Sequence, residues 1–131
     1  MTRDRRRRDP AEWTVRQARN RYLRRRQPDA TERSLTTWEY RLKLFVEWCE
    51  GVGIGEVGEL EKYDLDEWYD LRGSEIAPAT LEGEMWTLKM FFRFLEDVGA
   101  VEDGLAESIR IPDLDQEDRT NDVKLSTGAA L

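Results

Sequence analysis

Residues 78–98, Pro-Ala-Thr-Leu-Glu-Gly-Glu-Met-Trp-Thr-Leu-Lys-Met-Phe-Phe-Arg-Phe-Leu-Glu-Asp-Val, space Leu81, Met85, Leu88, Phe92 and Leu95 in a strict 4-3-4-3 pattern. That is the period of one buried stripe on an α-helix, whereas a half-buried strand would alternate every second residue. Pro78 suits the first turn, where a missing N–H costs nothing, and the spacing runs up to Gly99. The spacing predicts a helix over Pro78–Val98.

The segments on either side read the same way. Leu35, Trp38, Leu42, Phe45, Val46 and Cys49 form a second stripe, closed by Gly51 and Gly53, with Asp29 and Glu32 as a capping box. This predicts a helix over Thr31–Glu50, with Leu44 and Trp48 off the stripe and therefore covered by another neighbour. Trp13, Val15, Ala18, Tyr22 and Leu23 give a first helix, Glu12–Gln27, interrupted by Pro28. Asp64 and Glu67 cap a short helix over Leu65–Arg72, after a loop whose apolar peg is Ile54, Val57 and Leu60. Asp103 is placed to cap a fifth, over Leu105, Ala106 and Ile109, which must finish before Pro112. No strand-like alternation is long enough for a sheet, so the fold class is all-α, a bundle of four to five helices. With 131 residues there is room for one modest core. The expected organisation is a disordered basic arm at 1–11, a helical domain at 12–112 and an acidic, polar tail or linker at 113–131.

Charge is distributed unevenly. Residues 1–33 hold 12 Arg against 5 acids, an excess of +7, whereas residues 34–131 carry a net −14. A basic head on an acidic body points to a head that meets phosphate or another polyanion. Arg outnumbers Lys 17 to 4, which together with the acidic body reads as a salt-adapted, halophilic composition. No run of about 18 apolar residues exists and no signal peptide is apparent, so a cytoplasmic location is expected. The chain has no His and one Cys, which removes the commonest general base, the commonest zinc ligand and any intrachain disulfide. Neither catalysis nor a cofactor or metal is expected, and Cys49 falls on a buried stripe rather than in a reactive setting.

Residues 34–48, Ser-Leu-Thr-Thr-Trp-Glu-Tyr-Arg-Leu-Lys-Leu-Phe-Val-Glu-Trp, resemble the second helix of the N-terminal core-binding domain of tyrosine recombinases of the phage-integrase type. Ala79-Thr80-Leu81, Leu88, Phe92, Phe94-Leu95, Gly99 and the run from Leu105 to Pro112 resemble the fourth helix and exit segment of that domain, and Asp122-Val123-Lys124-Leu125 the connector that follows. The resemblance implies a SAM-like helical bundle on one side of duplex DNA. In the family, phosphoryl transfer belongs to a separate C-terminal domain with an Arg, Lys, His, Arg and Tyr set, so no catalytic residue carries over to this chain.

The resemblance also implies that helices two and four face successive major grooves, so the surfaces opposite their buried stripes are the candidate DNA contacts. On helix two these are Thr36, Thr37, Tyr40 and Lys43, flanked by Arg41; on helix four they are Thr80, Thr87, Lys89 and Arg93. Hydroxyls donate to phosphate, and Lys and Arg neutralise it. Arg5, Arg6, Arg7 and Arg8 form a basic arm of the same tendency. The chain departs from the family at Glu82, Glu84 and Trp86, where relatives tend to carry Arg, Gln or small polar residues. Glu82 and Glu84 are therefore expected to oppose phosphate. The expected partners are duplex DNA and a full-length recombinase sharing its sites, with no small-molecule substrate. The rival reading is a helical protein-interaction module docking through Trp86, Met90 and Phe94.

Overall fold

The structure is a computed structural model that describes residues 9–114. Five α-helices, α1 (Val15–Arg26), α2 (Glu32–Val52), α3 (Lys62–Gly73), α4 (Pro78–Asp97) and α5 (Leu105–Ser108), surround one core, and no strand occurs among the described residues. The all-α expectation holds. The four longer helices lie close to their expected positions, and the differences are confined to their ends.

Those end differences have local causes. Trp13 lies outside α1, because Thr14 takes the N-cap and exchanges hydrogen bonds with Gln17 in a capping box. Trp13 is instead held by a short 3-10 turn over Pro10–Glu12, which packs against a second such turn at Val57–Glu59. Val57 N–H donates to the Trp13 carbonyl at 2.8 Å, and Gly58 sits where a Cβ would come within 2.8 Å of the Ala11 carbonyl oxygen. For α2 the cap is Thr31, which accepts from Ser34 N–H, and not Asp29, which belongs to a 3-10 turn over Gln27–Asp29. In α3 the carboxylate of Asp64 reaches back to Glu61 N–H, so the helix begins a turn earlier than expected and Glu67 caps nothing. Asp103 does not cap α5; Glu96 of α4 does so from ten residues away, accepting from Ala106 N–H at 2.6 Å.

The core is where the predicted stripes meet. Phe45 and Val46 of α2, Trp68 of α3, and Met85, Phe91, Phe92 and Leu95 of α4 are all buried. Phe45 meets the rings of Trp48, Trp68 and Phe92 at centroid distances of 6.0, 5.7 and 5.9 Å. The off-stripe Leu44 and Trp48 are packed at its margin, and Trp48 meets the Trp68 ring of α3 in a tilted contact at 5.4 Å. Tyr22 of α1 packs on Phe91 and Phe94 of α4. Antiparallel to α2, α1 is tied to it at one end by Arg16 forking onto Glu50 and at the other by Arg26 over Trp38.

Cys49 is fully buried in this core, and burial pushes its thiol pKa well above the usual range. Because the thiolate is the reactive form, Cys49 is expected to be inert towards an aromatic disulfide reagent in the native protein and to react within seconds in denaturant. A time course of thiol release under both conditions checks this; stoichiometric native reaction would contradict the packing.

Candidate nucleic-acid interface

The α2 surface has the character its sequence implied. Thr36, Tyr40 and Lys43 are exposed and Thr37 half-exposed, whereas Thr36 also returns a hydrogen bond to the Glu32 carbonyl within its own helix. Arg41 has a structural role as well. Its Nη1 donates to the Gly83 carbonyl and the Thr87 hydroxyl of α4, at 3.1 and 3.0 Å, where the two helices cross. A Cβ at position 83 would lie 2.7 Å from Arg41 Nη2, so a larger residue there would make the guanidinium shift from this seat.

On α4 the candidates separate. Thr80 is exposed, but Thr87 is buried beneath Arg41. Lys89 and Arg93 both point to Glu107 of α5, at 3.7 and 3.4 Å. Glu84 is not a surface acid at all. It is buried, and both its oxygens accept from Arg72 of α3 at 2.9 Å. The expectation that Glu84 repels phosphate is therefore corrected: its charge is neutralised between α3 and α4. Glu82 is half-buried and has its own partner. Phe94, expected beside Trp86 and Met90 in a docking patch, is buried against Tyr22, which leaves Trp86 and Met90 as the exposed pair. Arg5, Arg6, Arg7 and Arg8 lie outside the described residues, as does the Asp122–Leu125 connector.

Sequence reasoning missed a groove of about 220 Å³ where α1, α2 and α4 converge. Arg26 lies over the Trp38 ring at 4.5 Å and donates to the Tyr22 hydroxyl, opposite Arg41. Trp86 and Met90 complete its rim. Neither guanidinium has an ion-pair partner among the described residues, in contrast to Arg16, Arg72, Arg93 and Arg110. A half-buried cation without a carboxylate invites an anion from outside. No cluster of three or more His, Cys, Asp or Glu able to hold a metal ion occurs among the described residues, and none of their helices is long and apolar enough to cross a membrane.

A solved structure with this architecture is the N-terminal domain of a phage integrase/site-specific recombinase from Haloarcula marismortui. It is 44% identical in sequence, with a TM-score of 0.74, and the match covers 76% of this chain and 97% of that one. The chain belongs to the N-terminal domains of phage integrases/site-specific recombinases. No protein-family model matches the chain, and no curated protein matches it significantly.

Proposed function

We propose that this recombinase domain grips duplex DNA without cutting it, at sites it shares with a full-length recombinase. The observation that carries the reading is a set of cations on α2 and at its crossing with α4. Arg33, Arg41 and Lys43 have no ion-pair partner among the described residues, although acids outnumber bases 28 to 21 in the chain. Thr36, Thr37 and Tyr40 add donors suited to phosphate oxygens beside them. Arg26 extends the set into the groove, and the basic arm of Arg5, Arg6, Arg7 and Arg8 adds non-specific affinity. On α4, Thr80 is open to contact, and Lys89 and Arg93 would first exchange Glu107 for phosphate. The acidic remainder repels DNA in dilute buffer and much less in molar salt, where the Debye length is about 3 Å.

Titrating a labelled duplex across salt concentrations tests the reading. Each phosphate contact removed lowers the slope of log K against log salt by about 0.9, so Arg33→Gln with Lys43→Gln should lower it by about 2. Affinity at low salt should fall roughly tenfold, and deleting residues 5–8 should flatten the slope further. Nicked suicide substrates should trap no covalent adduct. Exposed Trp86 and Met90 favour the rival, a protein-docking module. That rival replaces the DNA reading if the parent ignores duplex at every salt concentration.

A further inference from the structure

The α1 helix carries a second cationic surface that the α2–α4 crossing does not include. Arg21, Arg24 and Arg25 stand at i, i+3 and i+4, so they share one exposed face of the helix. Like charges so placed disfavour the helix, and acids are plentiful elsewhere in the fold. On the same helix Arg16 is bidentate to Glu50, and beyond α5 Arg110 gathers both Asp66 and Asp70. Arg21, Arg24 and Arg25 receive no carboxylate and make no hydrogen bond among the described residues. The last helical turn favours cations electrostatically, which accounts in part for Arg24 and Arg25 but not for Arg21, a turn earlier.

Two of the three are positioned by aromatic rings instead of acids. The Arg21 guanidinium lies over Trp13 at 4.6 Å and that of Arg25 over Phe94 at 5.3 Å. A guanidinium held over a ring rather than against a carboxylate keeps N–H donors available to a planar or tetrahedral oxyanion. Arg24 stands between them, and two open hollows of about 370 and 320 Å³ share Trp13, Arg21 and Arg24 as walls. Both Trp13 and Phe94 are themselves buried, so the rings form a fixed base.

We infer that this α1 row is a second phosphate-contacting surface, one that takes the sugar–phosphate backbone of a DNA segment beyond the one met by α2 and α4. The inference rests on the DNA reading above. It adds a second track that lengthens the contacted duplex and carries no base specificity, because three guanidiniums, two of them seated over rings, recognise charge and not a base edge.

The test compares the parent, an Arg21→Gln/Arg24→Gln/Arg25→Gln variant and an Arg21→Lys/Arg24→Lys/Arg25→Lys variant on one long duplex over graded salt. The Gln variant should lower the log–log salt slope by about 2 to 3, and the Lys variant should keep it. Thermal melts of all three confirm that the fold is retained. If the parent binds but the Gln variant keeps its affinity and slope, the second track is wrong and the functional reading stands. If the parent binds no duplex at any salt, both fail. If the Lys variant loses as much as the Gln variant, the row serves packing on Trp13 and Phe94 and the inference is overturned.

Discussion

Replacing Glu84 by Gln is expected to lower the unfolding free energy of the domain by about 3 kcal/mol, because it leaves the Arg72 charge half-buried without its main counter-ion. Glu84 is 7% exposed and the Arg72 side chain 14%, and the two are joined by a pair of 2.9 Å hydrogen bonds. The Glu84 hydrogen bond is the main cause holding the Arg72 guanidinium above its ordinary pKa. Glu75 also reaches Arg72 at 2.9 Å, but it is 53% exposed, and an ion pair open to water contributes little. Glu75→Gln should therefore cost no more than about 0.5 kcal/mol. An Arg72→Leu/Glu84→Leu double variant should recover most of the loss, since removing both charges removes the penalty of burying either. Urea unfolding followed by tryptophan fluorescence reads all three, with Trp68 directly beneath Arg72 as a reporter. Equal losses for Glu84→Gln and Glu75→Gln would contradict the burial assignment.

The role of Glu84 was open to inference from its register, although its charge pointed the other way. Position 84 is three residues after Leu81 and four before Leu88, which puts it on the buried stripe of α4. Thr87 stands in the same relation to Glu84 and Phe91, and it too is buried. Period outranked residue type at both positions. What the period could not supply was the partner, because Arg72 reaches Glu84 only after the turn between α3 and α4 folds the chain back on itself.

Helix existence and buried faces were legible because each depends on spacing within one segment. Trp86, which departs from the α4 stripe, is 44% exposed, as its register required. Helix caps were less legible, since neighbouring polar residues compete for the same N–H groups. Thr31 displaced Asp29 and Glu61 displaced Asp64 as the residue before the helix. The α5 cap was beyond local reading, for its carboxylate comes from Glu96 on another helix. The candidate interface was legible on α2, where the exposed face follows from the stripe. It was not legible for Arg26, Arg41 and the α1 row, whose states depend on which rings and carbonyls other helices bring to them.

The largest effect is expected at Phe45, the side chain through which α2 holds both α3 and α4. Its ring is 1% exposed and contacts Trp48, Trp68 and Phe92 at once. Phe45→Ala removes the ring and leaves a cavity bounded by three large groups that cannot all collapse into it, so the expected cost is about 4 kcal/mol. Phe45→Leu keeps most of the volume and should cost about 1 kcal/mol. Domains of this size have only about 5 to 15 kcal/mol in total, so the Ala variant should be poised near unfolding at 37 °C while the Leu variant stays folded. Near-ultraviolet circular dichroism supplies a direct readout, because the tilted Trp48–Trp68 ring pair loses its fixed geometry when Phe45 no longer supports it. The two variants also separate stability from binding. Phe45 is buried, so a Phe45→Leu domain should bind duplex like the parent while melting at a lower temperature. A selective loss of DNA affinity in a folded Phe45→Leu variant would mean that the exposed α2 face is set by core packing more tightly than the helix alone requires, and would move the interface inward towards the α2–α4 crossing at Arg41 and Gly83.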